Sequence, residues 1–585
     1  ALKQNQHNDH PHAQEGPNSA PLSAAARVAQ GETPPNWVAV KEEPAYTPRK
    51  IKIICVGAGC AGITLAHKIK HELHLADVID YKIYDKNAEV GGVWTENRYP
   101  GVACDIAAHA YTFRFEPNPY WSHFYVSGPE IREYIHNTVR KWGLDDNIEL
   151  NSNVIESVWD EDLGKWKVKI EENGRIKEDE ADIFVNASGI LNNWKLPDIR
   201  GLADFKGKLV HTANWDDKYE WKNKRVAIIG NGASGIQCVA TMHSEVSKLV
   251  NYVRSPTWIT PNINAEMTKN GDNFAYTPEE QERFKSDPKA FFEFRKELEN
   301  HVNGGAYATL KDHPLQHFLR GETLKQMQEK LKALDPSIAA RIIPDFAPGC
   351  RRLTPGSGYL EAFSANNTEM CWKDIERVTE TGIRTSDGED EDFDLIVCAT
   401  GFDTSIIPRW KQIGKNGIDL RKHWKNDPEA FFSVHVDQMP NYFMIGGPNF
   451  PVSHGTVTTG FAIVCDYILK WTMKIATEDI KSMDVRKESL DDYNVWTQEY
   501  LKRTAFSEKC RSWYKNGKAS GLITGTYAGT TSHFRKSLER IGGEHFHIRY
   551  NSVNRFWCLG NGQMEEERNG DGDLADYFVQ GVWGP

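Results

Sequence analysis

Several features are missing from this chain of 585 residues, and each absence narrows what it can be. Lysine and arginine number 70 against 81 acidic residues, a net charge of −11, and no basic block interrupts that balance. A nucleic-acid partner is therefore not expected. The first 45 residues are polar and rich in Ala and Pro, without the apolar run that a signal peptide or a membrane span needs. No membrane partner is expected. The ten cysteines include no CxxC pair and no His-paired zinc spacing. Cys55 and Cys398 lie inside apolar, strand-like runs, so the sequence predicts a reduced, cytoplasmic protein without structural metal.

The length exceeds what one core supports and calls for two to four domains. Residues 1–45 read as a disordered tail, with Trp37 and Val38 as points that could pin its end to the body.

At Lys50 the pattern changes. KIKIICVGAGCAGITLAHKIK is an apolar β-branched run, a glycine turn and a segment of helical periodicity. Gly57, Gly59 and Gly62 form GxGxxG. The first glycine permits the tight turn, the second admits a pyrophosphate, and the third lets helix and strand pack closely. The phosphates would sit at the helix N-terminus. The next strand-like run ends in Asp85, whose carboxylate can accept from ribose hydroxyls.

The grammar returns in KNKRVAIIGNGASGIQCVATM, with Gly230, Gly232 and Gly235 and the intervening Ala233 and Ser234. Here the following strand closes on Arg254 and Ser255 rather than on an acid. Arginine takes a 2′-phosphate bidentately, so this second dinucleotide site favours NADP(H).

The predicted fold class is α/β, with two Rossmann-like dinucleotide-binding domains and an inserted helical lobe. Residues 46–195 and 385–585 are assigned to an FAD domain, the latter ending in an active-site cover. Residues 196–264 and 345–384 are assigned to an NADP domain, and 265–344 to the helical insertion, with helix starts near Thr277 and Thr323. ASG after Asn186 and ATG after Cys398 mark crossings between domains.

Between the nucleotide units lies FKGKLVHTANWDD, with Phe205, Gly207, His211 and Trp215 at FxGxxxHxxxWD spacing. Upstream is GGVWTENRYPGVACD, with Gly91, Gly92, Val93, Trp94, Tyr99, Pro100, Gly101 and Asp105. Together with GCRRL at 349–353, these stretches resemble the signatures of the type I Baeyer–Villiger monooxygenases. Those are single-chain flavoenzymes that turn ketones into esters or lactones with FAD, NADPH and O2. The resemblance touches the chain from about residue 50 to 460.

The resemblance implies a site. The family's reaction passes through a peroxyflavin and a Criegee intermediate, and negative charge appears first on the peroxide and then on the former carbonyl oxygen. A fixed cation stabilises both, and arginine stays charged at any working pH. By motif position Arg352 is that cation and Asp105 holds it. Arg351, where many relatives carry Lys, joins Arg254 on the 2′-phosphate. Tyr111 and Val154 match FAD-contacting places, with ordinary packing open as an alternative. His211 and Trp215 act either at the nicotinamide or in domain coupling. SWYKNGKASG around Trp513 resembles the family's mobile cover.

The expected partners are a ketone and O2, in a monomer or dimer. An N- or S-oxygenating flavin monooxygenase is the alternative, and a non-catalytic nucleotide sensor a remote one. A pyridine-nucleotide disulfide reductase would need neighbouring redox cysteines.

Overall fold

In the computed structural model, residues 21–575 are described, apart from 454, 569 and 571. The first 20 residues of the expected tail lie outside that range. The apolar run at Ile51–Val56 is the central strand of a five-stranded sheet. The order is Tyr442–Met444, Ile183–Asn186, Ile51–Val56, Ile79–Tyr84, Ile148–Glu149, and every pairing is parallel. Ile51, Ile53, Ile54 and Cys55 are fully buried, as expected of a parallel strand covered on both faces.

A second five-stranded sheet repeats the plan. Its order is Thr368–Cys371, Lys248–Tyr252, Arg225–Ile229, Leu395–Cys398, Lys208–His211, again all parallel. The α/β class with two Rossmann-like units is thus what the chain adopts. One boundary moves: Leu395–Cys398 hydrogen-bonds to Arg225–Ile229 and Lys208–His211, so it belongs to the second sheet and not to the first unit.

The glycine turns and the small-residue turns explain one another. Ala187 N donates to Val56 O at 2.9 Å, and Ala399 N to Ile229 O at 3.0 Å. A Cβ on Gly57 would strike the Ala187 carbonyl, and one on Gly230 the Ala399 carbonyl. Both glycines have positive φ, +112° and +114°, which only glycine adopts without strain. The third glycine of each loop is equally confined. A Cβ on Gly62 would meet the carbonyl oxygen of Gly57, and one on Gly235 that of Gly230.

The insertion is helical, with helices at Pro278–Ser286, Pro288–Gly304, Pro314–Leu331 and Pro336–Ile342. Thr277 starts the first with a reciprocal capping box to Glu280, as its sequence predicts. Thr323 does not start a helix. It is buried within Pro314–Leu331, which begins at Pro314 because proline suits the first turn and the His313 ring accepts from Leu315 N.

The described residues of 21–49, 475–481 and 550–575 form a compact unit of their own. Residues 21–45, expected to be disordered, are structured. Ser23 caps the helix Ala24–Ala29. Ala45 N donates to Gln563 O and Tyr46 N to Cys558 O, each at 2.7 Å, and Asn561 N donates to Glu43 O at 2.8 Å. The Lys41 ammonium lies 5.2 Å from the Trp557 ring centre. The partners come from the far end of the chain, so local composition could not reveal them. Trp37 is not the anchor: it is 43% exposed, while Pro34 and Pro44 are buried.

Candidate active site

Two turns meet at the carboxyl end of the first sheet. Gly59 caps the helix Cys60–His67, and a Cβ on it would face Gly92 Cα at 3.6 Å. Gly91 and Gly92, with φ of +120° and +57°, lead into the short helix Val93–Glu96. Trp94 Nε1 donates to the Tyr111 hydroxyl at 3.1 Å, and the rings meet edge-on at 5.6 Å. Burial pushes the Tyr111 hydroxyl well above its ordinary pKa. Gly57, Gly59, Gly92 and Val93 are half-buried at these turns, and closely approaching backbone at a helix N-terminus is the arrangement that suits a nucleotide's phosphates.

Asp85 is largely occupied with the backbone. Its Oδ2 accepts from Ala58 N at 2.7 Å and its Oδ1 from Asn87 N at 2.8 Å, so it braces the glycine loop. Burial raises its carboxyl above the usual range, against those two N–H groups, which lower it. Each oxygen keeps a second lone pair, so an added ribose hydroxyl is compatible with this brace. Val154 lies in Ser152–Asp160, and its side chain is buried among Trp166, Val168 and Ile170.

At the second loop, Gly232 caps the helix Ala233–Met242. A Cβ on Gly232 would meet nothing within 4 Å, and Gly232 and Ala233 are exposed. Ser234 is half-buried beside them. Asn231 Nδ2 donates to the Ser255 carbonyl at 3.0 Å and closes the loop onto the end of the next strand. Arg254 is exposed there. Arg351 Nε donates to Arg511 O at 2.9 Å and Nη1 to Pro256 O at 3.0 Å, with its guanidinium over the Phe346 ring. Burial and the Arg254 charge both lower the Arg351 pKa. Neither arginine pairs with a carboxylate among the described residues. Two neighbouring cations without a protein anion beside an open helix N-terminus suit a dianionic phosphate.

Arg352 joins the two halves of the site. Its Nη2 donates to Asp105 Oδ1 at 3.0 Å and Oδ2 at 2.8 Å. The Asp105 charge raises the Arg352 pKa further, outweighing the partial burial of a side chain that is 38% exposed. The segment carrying Asp105 is locked to the second unit. The Tyr99 hydroxyl donates to Gln237 Oε1 at 2.7 Å, and Gln237 Nε2 to Ala103 O at 3.1 Å. A Cβ on Gly101 would press on the Gln237 carbonyl at 2.8 Å. The motif GGVWTENRYPGVACD therefore spans from the first glycine turn to the helix of the second.

His211 ends Lys208–His211 and is buried, with its ring stacked on Trp194 at 4.9 Å and Nδ1 accepting from Ala213 N. Trp194 and Phe402 form an isolated bridge, so His211 lies where the two crossing chains run side by side. Phe205 is buried, and a Cβ on Gly207 would strike its ring. Trp215 packs partly buried against the core of the second unit.

Trp513 is half-buried and lies 4.2 Å, ring to ring, from Tyr514. Tyr514 has no counterpart in the sequence reading, yet it is the buried member of the pair. Its hydroxyl accepts from Ser453 Oγ at 2.9 Å. Burial raises its pKa, while the Arg352 charge and the Ser453 hydrogen bond pull it down. The aromatic pair in SWYKNG was visible in the sequence, but not which ring turns inward.

The cysteines require a correction. Cys350 and Cys510 are joined by a disulfide, 160 residues apart in sequence and 6.2 Å between Cα atoms. Their spacing is too wide for any local motif, and only the fold brings them together. Cys55, Cys60, Cys104, Cys238, Cys371, Cys398 and Cys465 carry free thiols, and all of these but Cys60 are buried. Among the described residues no His/Cys/Asp/Glu group is suited to a metal, and no helix is long and apolar enough to cross a membrane.

A model of flavin-binding monooxygenase-like proteins matches residues 50–269. The FAD-binding monooxygenase tazF of Aspergillus terreus is 45% identical over 546 residues, 93% of this chain and 97% of that protein. A Baeyer-Villiger monooxygenase of Pseudomonas aeruginosa is 30% identical over 508 residues, covering 86% of this chain and 92% of that one. The closed crystal structure of cyclohexanone monooxygenase superposes with a TM-score of 0.74 at 24% identity, covering 86% of this chain and all of that one. Paired parallel sheets, paired glycine turns and this degree of identity over nearly the whole length place the chain in the flavin-binding monooxygenase family, in its type I Baeyer–Villiger-like branch.

Proposed function

We propose that the chain is an NADPH-dependent FAD monooxygenase that inserts one oxygen atom of O2 beside a ketone carbonyl, giving an ester or lactone. The observation that carries this reading is the Asp105–Arg352 pair. One guanidinium nitrogen holds both carboxylate oxygens, while Nε and Nη1 have no acceptor among the described residues. A cation clamped through one edge keeps its other donors for an anion that arises during turnover. Oxygenation at nitrogen or sulfur does not call for such a cation.

FAD, when bound, would supply the hydride-accepting and O2-activating chemistry. Gly57, Gly59, Gly62, Gly92, Val93, Trp94 and Tyr111 would hold it, and Asp85, which braces the loop, would accept from its ribose. Gly230, Gly232, Ala233, Ser234, Gly235 and Ser255 would hold the NADPH pyrophosphate and ribose, and Arg254 and Arg351 would take the 2′-phosphate. Arg352 stabilises the negative charge that the carbonyl oxygen acquires as its carbon is attacked, and Asp105 fixes the direction of that guanidinium. Trp513 and Tyr514 exclude water, which strengthens each of these electrostatic contacts. Phe205, Gly207, His211 and Trp215 couple the two nucleotide units and do not touch reacting atoms.

The test is Arg352→Ala assayed with a panel of ketones. The variant is expected to retain FAD and to make no ester; ester formation near the parental rate would remove Arg352 from the mechanism.

A further inference from the structure

The disulfide occupies a particular place. Cys350 directly precedes Arg351 and Arg352, and Cys510 directly precedes Arg511, whose carbonyl receives Arg351 Nε. The bond therefore ties the arginine-bearing loop to the segment that carries Trp513 and Tyr514. A third group attends it. Lys515 is buried, and its Nζ lies 3.7 Å from Cys350 Sγ and 3.9 Å from Cys510 Sγ. Nζ donates to the carbonyls of Phe506, at 3.1 Å, and Glu508, at 2.5 Å, and no carboxylate pairs with it among the described residues. Burial brings the Lys515 ammonium down to about 8, with Arg351 and Lys311 acting the same way and Glu508 opposing. A buried ammonium without a carboxylate is costly unless it meets an anion. The anion within reach is a thiolate at either sulfur.

We propose that Cys350 and Cys510 form a redox-active dithiol/disulfide site, with Lys515 as its cationic partner, that fastens the cover segment to the arginine loop. Both sulfurs belong to buried residues, but Cys510 is 5% exposed where Cys350 is fully buried, and it lies between the exposed Lys509 and Arg511, so a reductant reaches it first. The thiolate of a dithiol reductant attacks Cys510 Sγ. The S–S bond breaks, and its electron pair leaves on Cys350 Sγ beside Lys515 Nζ. The reductant's second thiol then displaces Cys510. The reductant ends as its disulfide, and two protons end on the cysteines. Closure by a peroxide runs as follows. One cysteine thiolate attacks the O–O bond to give a sulfenic acid and water, and the other thiol displaces the hydroxyl as a second water while the S–S bond forms. The ammonium favours both steps because it stabilises the attacking or departing thiolate. The redox chemistry is independent of the reaction proposed above; only its effect on turnover rests on that reading of Arg351 and Arg352.

The experiment uses the full FAD-loaded chain, purified without reductant, alkylated with iodoacetamide and mapped by peptide mass. Cys350 and Cys510 are expected to be protected, to become alkylated after mild dithiothreitol, and to regain protection after hydrogen peroxide. Lys515→Met should slow that reclosure about tenfold. In the reduced form, tryptic cleavage after Lys509, Arg511 and Lys518 should quicken and the KM for NADPH should rise, each about tenfold. The double variant Cys350→Ser/Cys510→Ser should copy the reduced form, and if it does not fold, the reversible cycle of the parent decides. Free, alkylatable cysteines at both positions before reduction and after peroxide would overturn the proposal. So would identical cleavage and identical KM in the two redox states. If neither state makes ester from any ketone while cleavage still follows the redox state, the proposed reaction fails and the latch stands.

Discussion

Arg352 and Asp105, 247 residues apart in sequence, meet through a single guanidinium nitrogen that donates to both carboxylate oxygens at 3.0 and 2.8 Å. The pair divides the work: Asp105 aims and Arg352 acts. Asp105→Asn keeps an acceptor of similar shape but removes the charge that holds the guanidinium. It should lower the rate of ester formation about 10- to 100-fold while NADPH is still consumed, with hydrogen peroxide appearing in place of product. Arg352→Lys keeps a charge but loses the planar fork, and should fall by at least as much. Parallel assays of NADPH loss, peroxide and ester check both. Unchanged coupling in Asp105→Asn would mean that the carboxylate is not needed to aim its partner.

Arg254 is exposed at the end of Lys248–Tyr252, and its charge acts on Arg351, which is half-buried. Arg254 makes no carboxylate pair among the described residues, so removing it breaks no ion pair of the fold. Arg254→Ala should raise the KM for NADPH about tenfold or more, leave kcat near the parental value and leave NADH use unaffected. The loss should shrink at high salt, where the phosphate contact is screened. Equal effects on NADPH and NADH would show that this arginine does not read the 2′-phosphate.

The two nucleotide units were legible because their determinants are local. IKIICVGAGCAG and RVAIIGNGASG each place a buried strand, a positive-φ glycine and a helix start within a dozen residues, and the structure puts them at equivalent places in the two sheets. Asp105 and Arg352 were found through motif position, and their contact is long-range. What escaped was decided by distant partners. Leu395–Cys398 reads as an apolar strand from sequence, but its sheet is chosen by Arg225–Ile229 and Lys208–His211. The order of residues 21–45 depends on main-chain partners near residue 560. Cys350 and Cys510 carry no spacing signal, and Trp513 and Tyr514 are adjacent aromatics whose burial differs only in three dimensions.

Gly232 and Gly235, three residues apart, should separate binding from folding. A Cβ on Gly235 collides with the Gly230 carbonyl, whereas one on Gly232 meets nothing within 4 Å. Gly232 has φ of −81°, which any residue adopts. Gly235→Ala should lower stability by about 1–3 kcal/mol, seen as a lower Tm. Gly232→Ala should leave the Tm of the coenzyme-free protein unchanged but reduce the rise in Tm that NADP+ produces. If Gly232→Ala responds to NADP+ like the parent, the pyrophosphate does not approach that backbone.

Acid should unfold this protein through its buried imidazoles, and His67 offers the cleanest test. Its ring stacks on Phe115 at 3.5 Å with Trp142 edge-on, and neither ring nitrogen has a hydrogen-bond partner among the described residues. Burial, with the nearby His71 and Lys68, lowers its pKa from 6.5 to about 4, against Glu72 and Glu116. Between those values the unfolded chain binds a proton that the folded chain does not, so stability is complete above pH 6.5 and falls as the pH drops toward 4. At most about 1.4 kcal/mol is lost per pH unit in that window. His435 and His109, each brought down to about 3 chiefly by burial, add losses of the same sign. His67→Phe keeps the aromatic stack and removes the titrating group. It should match the parent near pH 8 to within about 1 kcal/mol and exceed it increasingly at lower pH. Denaturant midpoints at pH 8 and pH 5 check this; parallel losses in parent and variant would show that the buried ring is not what acid attacks.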